Sequence, residues 1–294
     1  MTTTTQAVTA SNAPGYARRK ARTLIGWLSE HEGALWISGR QMTQEPDPTH
    51  IARCREARTA VERRPEGYVQ NNIFSPLPEA LAAHIGALNA NPKTVQILAE
   101  AGEPRMVDLR LVCAAQPTIY VEDAANRVRD LAANDIPGIA AITLPLHSPT
   151  KMPVVFDPHK NAWLFSSPNP NLRIAGHFNV ELSPGINGFG FAVDVALSFL
   201  QVAGLNGRYF LRDGYHRAYG LLAAGINFAP ALVKDYAAFE EIQMPAGLLP
   251  PPTYLGSRPP LLVDYLDDTV ATDTHLPVMT KMVVIQAIDL NSMT

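Results

Sequence analysis

Over the first hundred residues the apolar positions recur at helical spacing. Leu24, Trp27, Leu28 and Leu35 share one face of a helix expected from Tyr16 onward, and Ile51, Cys54, Ala57 and Val61 share another after Asp47-Pro48. Residues 77–88 predict a third helix and Pro92–Ala101 a fourth, with Asn91 placed to cap it, Pro92 at its first position and Gly102 past its end. Residues 15–103 therefore read as a helical region. It is entered from a Thr-, Ser- and Ala-rich tail, residues 1–14, that is too poor in apolar groups to fold.

Past Arg105 the pattern changes. Residues 107–113, 139–144, 153–156 and 162–165 predict strands, separated by turn clusters such as Asp157-Pro158-His159 and Pro168-Asn169-Pro170-Asn171. Residues 121–133 predict a helix, residues 172–182 alternate in part as a strand, and 191–203 are apolar enough for a buried helix. Tyr209-Phe210-Leu211 is an apolar strand that gives way at Asp213-Gly214 to a helix over 215–224, with Ala218, Leu221, Leu222 and Gly225 on its packed face. Gly225 suits the helix end, and 229–233 is another short buried strand. Residues 104–243 thus predict an α+β domain with a mixed sheet. Six prolines between Met244 and Leu261 predict an extended arm wrapped over that domain, and 281–290 a terminal strand added to a sheet edge, so 244–294 forms a last segment.

Composition narrows the classes. The 294 residues can bury a sizeable core; 47% are apolar and only 17% charged, so the surface is poor in charge. A net charge of −3 gives no chain-wide attraction to nucleic acid. Cys54 and Cys113, the only cysteines, sit in apolar patterns and read as inert buried thiols rather than a disulfide framework or a metal site. No apolar run reaches the ~18 residues of a membrane span, and no secretory h-region opens the chain, so a cytoplasmic protein without membrane association is expected.

The turn Asp213-Gly214-Tyr215-His216-Arg217 carries the clearest chemistry. It sets a His and an Arg in the first turn of a helix, beside unpaired backbone N–H groups and the positive end of the dipole, which suits a phosphate or another anion. Periodicity puts His216 opposite the packed face and Arg217 on its flank; neither is forced into the core. On spacing alone, two surface residues beginning an ordinary helix is an equal reading.

Residues 208–236, RYFLRDGYHRAYGLLAAGINFAPALVKDY, resemble the signature segment of the ParB/sulfiredoxin-like superfamily: a Gly-x-x-Arg turn between strand and helix, with the helix leading through Gly into a Pro-containing strand. A weaker similarity starts near Arg105. The resemblance implies a ParB/sulfiredoxin-like α+β fold and a nucleoside di- or triphosphate (ATP, ADP or CTP), with Mg²⁺ as a candidate companion. Gly214, Tyr215, His216 and Arg217 would hold it, and Asp213 would shape the turn or assist a metal. His216 and Asp213 would be the catalytic groups if the chemistry is phosphoryl transfer or nucleotide hydrolysis. Tyr215 stands where sulfiredoxins carry their nucleophilic Cys, which argues against that activity. The chain has no Glu-Asn dipeptide of the ParB kind, and no helical bundle is expected after Tyr236. Two alternatives stand beside this reading. One is a DNA-associated partition- or nuclease-like protein using the basic N-terminal helices; the other is a non-catalytic member that binds a protein or small-molecule partner.

Other candidates are weaker. Arg53, Arg55, Arg58, Arg63 and Arg64 could meet an anionic partner, but they alternate with Glu56 and Glu62 as on a solvated helix face. His147, His159, His177 and Asp157 match no metal-ligand spacing. Asp194 lies in an apolar stretch and would need a partner such as Arg217 or Arg212. Glu122, Asp123, Asn126 and Arg127 form one helix face, read first as a match to the helix dipole and second as a site element.

Overall fold

The computed structural model describes residues 18–39, 44–147, 154–167, 171–278 and 280–287. The expected tail, most of the 168–171 turn and the last residues of the expected terminal strand lie outside them. From the N-terminal side, β1 (Arg18–Thr23) is followed by α1 (Glu30–Ser38), α2 (Pro48–Glu62), β2 (Phe74–Ser75), α3 (Ala82–Ala90) and α4 (Pro92–Ala101). Then come β3 (Glu103–Asp108), β4 (Thr118–Tyr120), α5 (Val121–Val128), α6 (Ile136–Thr143) and four strands: β5 (Val154–Asp157), β6 (Ala162–Ser167), β7 (Leu172–Ser183) and β8 (Ile186–Val195). β9 (Gln201–Leu205), β10 (Arg208–Asp213), α7 (Tyr215–Ala223) and β11 (Phe228–Tyr236) precede α8 (Pro251–Tyr254), β12 (Thr272–Pro277) and β13 (Lys281–Gln286).

The central sheet has the order β10-β9-β11-β3-β2. β9 and β11 run parallel and the other neighbours antiparallel, so the sheet is mixed, as expected. The β9–β10 hairpin turns on Asn206 and Gly207, both at positive φ (51° and 75°), the backbone a two-residue turn of this hand requires. α7 then carries the chain from β10 to β11. It buries Tyr215, Ala218, Leu221 and Leu222 against Val107, Val202, Leu211 and Ala231 of the sheet. A second sheet, β12-β1-β4, a third, β13-β6-β5, and the two-stranded β7-β8 complete the architecture.

Where cap and turn chemistry is explicit in the sequence, the expected elements are present. Asp47 caps α2 through the Thr49 N–H, and Asn91 caps α4 through the Lys93 N–H, with proline at the start of each helix. The Pro-rich arm packs on the domain, Leu249, Tyr254 and Leu261 lying with Cys113 and Phe210, but it is not extended throughout: Pro251–Tyr254 form α8. Cys54 and Cys113 are buried free thiols, pushed by burial up to about 11.

Four expectations need correction. The chain around Arg18 to Thr23 is not helical but the strand β1, held between β12 and β4, with Arg19 paired to Asp123 and Lys20 and Arg22 to Asp273. The expected face of Leu24, Trp27, Leu28 and Leu35 is also divided, Ile25–Trp27 forming a 3-10 turn, Leu28 extended and Leu35 lying in α1, so the region before residue 103 is not purely helical. Residues 139–144 lie in α6 rather than a strand; Asp135 accepts from the Gly138 N–H and Pro137 occupies the first turn, a start signal that the apolar run masks. Residues 191–203 are the end of β8, a connector and β9, not a helix, and the β8 part is exposed. The strand expected over 107–113 ends at Asp108, whose side chain caps a following 3-10 turn. The expected boundaries also do not separate cores: Leu24, Ile73, Val107, Leu221, Tyr265 and Ala271 belong to one buried cluster.

Candidate functional site

The site is built around the junction of β10 and α7. Gly214 adopts φ 95°, and a Cβ there would stand 2.8 Å from Leu200 Cδ1 and 3.1 Å from Leu200 Cα, so both conformation and space demand glycine. Asp213 tightens the turn, one carboxylate oxygen accepting from the Gly214 N–H at 2.7 Å. α7 begins with no side-chain cap, which leaves the first-turn N–H groups without the usual hydroxyl or carboxylate acceptor.

This helix start opens on a cleft of ≈ 880 Å³. Five parts of the chain converge on it: the 213–217 turn, α5 with Asp123 and Arg127, Arg19 of β1, Ser198 from the β8–β9 connector, and Lys281 and Met282 at the start of β13. α5 approaches α7 closely because residue 220 is glycine; a Cβ there would lie 2.6 Å from the Ala124 carbonyl oxygen.

Arg217 is 8% exposed and has no carboxylate within salt-bridge distance among the described residues. Its Nη1 donates to Ser198 Oγ at 3.0 Å, and that hydroxyl donates to Asp213 Oδ2 at 2.8 Å. The serine thus relays between a cation and a carboxylate that do not touch. Burial, together with the nearby Arg127 charge, pushes Arg217 down to about 10, so it remains a cation at neutral pH. Arg127 is exposed at the rim and has no ion pair among the described residues, whereas Arg19 is tied to Asp123 at 2.8 Å.

His216 is held differently. Its Nε2 accepts from the Tyr120 backbone N–H at 3.1 Å, and its ring lies parallel to that of Tyr120, 5.9 Å between centroids. An N–H aimed at Nε2 requires a lone pair there, so the ring is neutral and carries its proton on Nδ1. Burial, and secondarily Arg127, push His216 down to about 4. The residue is a neutral donor and a flat wall of the cleft in the physiological range.

Tyr215 contributes little side-chain chemistry. It is buried, its hydroxyl accepting from the Ala115 N–H at 3.0 Å and donating to the Leu211 carbonyl. What it offers an incoming anion is its backbone. Burial of Arg217 also departs from its expected position on the helix flank: its guanidinium meets Ser198 of the β8–β9 connector, a contact that helical periodicity does not contain.

α5 has Glu122 and Asp123 in its first turn and Arg127 in its last, as the dipole reading expects, and Asp123, Asn126 and Arg127 also line the cleft beside the 213–217 turn. Ser198, Tyr120, Arg19 and Lys281 also reach the cleft, and no local sequence pattern marks any of them. Asp194 does not meet Arg212 or Arg217: it sits on β8 opposite Arg173 and accepts from the Val195 N–H, while Arg212 donates to Gln201. Three or more His, Cys, Asp or Glu side chains in metal-binding proximity do not occur among the described residues; His159 lies in the β5–β6 turn and His177 stacks on Phe189.

The α2 arginines are largely committed within the fold. Arg55 pairs with Glu30 at 2.9 Å, Arg64 with Asp264 at 2.9 Å, Arg58 donates to the Leu28 carbonyl, and Arg53 to carbonyls of the 268–271 turn. No helix is long and apolar enough to cross a membrane among the described residues. Comparison with family models, curated proteins and solved structures finds no match to this chain.

Proposed function

We propose that the cleft at the start of α7 binds a phosphorylated small molecule, with a nucleoside di- or triphosphate as the leading ligand class. The observation that carries this reading is Arg217: a cation withdrawn from water, without a contacting carboxylate among the described residues, at a helix N-terminus that has no side-chain cap and opens into a cleft. Burying a charge is costly unless something completes it, and an oxyanion lying between Arg217, the first-turn N–H groups and Arg127 would do so. The resemblance of residues 208–236 to the ParB/sulfiredoxin-like phosphate turn points the same way. Volume is adequate as well, since ligand clefts commonly span about 300–1,000 Å³.

In this reading Ser198 fixes the Arg217 guanidinium, Gly214 lets the backbone approach the phosphate, and Asp213 holds both. Neutral His216 donates from Nδ1 or packs flat against the ligand; its Nε2 is already engaged by the Tyr120 N–H. Its contribution to any phosphoryl transfer or hydrolysis is positioning and charge stabilisation rather than general base catalysis from Nε2. If Mg²⁺ accompanies the ligand, phosphate oxygens supply most of its coordination, since both carboxylate oxygens of Asp213 and Oδ1 of Asp123 already have protein partners.

The test is thermal unfolding with ATP, ADP, CTP, GTP and inorganic pyrophosphate, each with and without Mg²⁺, followed by calorimetric titration of any that stabilise. A native-state ligand raises Tm by mass action. Arg217→Ala is expected to weaken binding about 10- to 100-fold, as loss of a charge-assisted bond should. Exposed Arg127→Ala is expected to weaken it less, with no loss of fold. Folded wild-type protein that responds to none of these anions would end the proposal.

A further inference from the structure

Most of the large apolar side chains that stand exposed among the described residues are gathered on β5, β6, β7, β8 and β13. The concentration is highest on the β7–β8 hairpin, where Phe178, Ile186, Phe189 and Phe191 are all 43–58% exposed. Cα pairing fixes the faces: Phe189 opposite Asn179 and Phe191 opposite His177 share one, while Phe178 opposite Gly190 and Val180 opposite Gly188 share the other. Both faces of a two-stranded ribbon are therefore apolar and open. Such a ribbon, standing alone in water, is at best marginal.

Its edges raise the same issue. β7 and β8 pair only with each other among the described residues; β7 also lies near β13, and the outer edge of β8 pairs with no strand among them. Over its ten residues β8 has no proline and no lysine, and its single charge is Asp194 at the protected end. Protein edges that stay unpaired are usually blunted by such residues.

We propose that this arm is the interface of a two-fold homodimer, with β8 pairing antiparallel to β8 of a second copy and the flanking apolar faces packing across the axis. At 43–58% exposure and ~150–250 Å² per whole aromatic residue, Phe156, Trp163, Phe178, Phe189 and Phe191 present roughly 500 Å², and the exposed aliphatic side chains of β5, β7, β8 and β13 add a comparable area. A standard interface needs only about 800 Å² from each partner. An isologous contact is self-complementary, and two copies of one free edge satisfy each other's N–H and C=O groups, as a two-fold axis requires. The competing occupants fit less well. A polyanion would find few cations on the hairpin, where Arg173 already faces Asp194. A lipid surface would leave the edge N–H and C=O groups unpaired. The 1–17 segment of the same chain is mostly Thr, Ser and Ala and has too few large apolar side chains to cover the arm.

The test is sedimentation velocity on the full chain from about 0.5 to 100 µM, a range that brackets ordinary dimer affinities. The wild type is expected to be a dimer in the low micromolar range. F189E/F191E should raise the dissociation constant about 30-fold or more, as loss of central aromatic anchors does, while V69E, at an exposed apolar residue off the arm, should leave it unchanged. If the double variant fails to fold, hydrogen exchange of the wild-type 186–195 amides decides: they should be protected at high concentration and released on dilution. A monomer throughout the range, a dimer indifferent to F189E/F191E, or concentration-independent protection would each overturn the proposal. So would a monomer that floats with phosphatidylcholine vesicles, which would assign the arm to a membrane.

Discussion

His216, Tyr215 and Gly214 are adjacent in sequence, yet the fold uses each for a different purpose, and substitutions should separate them. His216 is neutral because burial holds it down at about 4, against an ordinary value near 6.5 in the unfolded chain. The unfolded state then binds the extra proton between those values. The stabilisation is fully present above about pH 6.5 and is lost as pH falls toward 4, a change of at most about 3 kcal/mol. Urea unfolding of wild type and His216→Gln from pH 7.5 to 4 should show the slope in the former and a flatter profile in the latter; parallel profiles would mean that His216 is not held neutral. Tyr215→Phe removes the acceptor of the Ala115 N–H and should cost about 1–3 kcal/mol of stability, with anion affinity per folded molecule unchanged. Affinity that collapses in this variant, with the fold intact, would return the Tyr215 side chain to the binding surface. The Gly214 requirement is legible in the sequence, because a glycine directly after Asp, between an apolar strand and a helix, marks a backbone at positive φ. The partner of the Tyr215 hydroxyl is not legible there, since Ala115 is a hundred positions away.

Among the elements, α7 shows how much periodicity can convey. Its limits, its packed face and its following strand β11 all follow from local spacing, as do the capped helices α2 and α4. β1 and the β8 region differ: β1 has Ala21 as its single apolar residue and no period to read, the β8 region is a continuous apolar run that also fits a helix, and strand pairing decides both. The cleft depends equally on α5, whose place beside α7 rests on the missing side chain at Gly220. Gly220→Ala is favourable for helix propensity by up to about 1 kcal/mol, but its methyl would press on the Ala124 carbonyl from 2.6 Å. Overpacking of this kind typically costs about 1–3 kcal/mol, so net destabilisation is expected in a denaturant titration. Because α5 carries Arg127, phosphate affinity should fall with it. A variant more stable than wild type would show that the two helices have room to separate.

At the level of the whole chain, the nucleotide and DNA readings make different demands on the charge distribution. The molecule bears −3 overall, so its long-range field repels a polyanion, and any anion site must work through cations close to it. Arg217 and Arg127 meet that condition at the cleft; within the fold Arg55 and Arg64 are neutralised by Glu30 and Asp264, and Arg53 and Arg58 are spent on carbonyls. From sequence alone these two groups of arginines look equally available, because alternation with glutamate does not reveal that Glu30 will meet Arg55, that Asp264 and Asp267 will meet Arg64, or that backbone carbonyls will take Arg53 and Arg58. A surface assembled for duplex DNA would show several unpaired cations along one face, and affinity would then fall by orders of magnitude between about 50 and 200 mM salt. The expectation is that the chain passes unretained over duplex DNA at about 50 mM salt, while any nucleotide affinity weakens only modestly over the same salt range, since a buried guanidinium is poorly screened. Salt-sensitive retention on DNA, lost when Arg55 and Arg63 are changed to Glu, would reverse this assignment and make α2 rather than the cleft the anion-binding face.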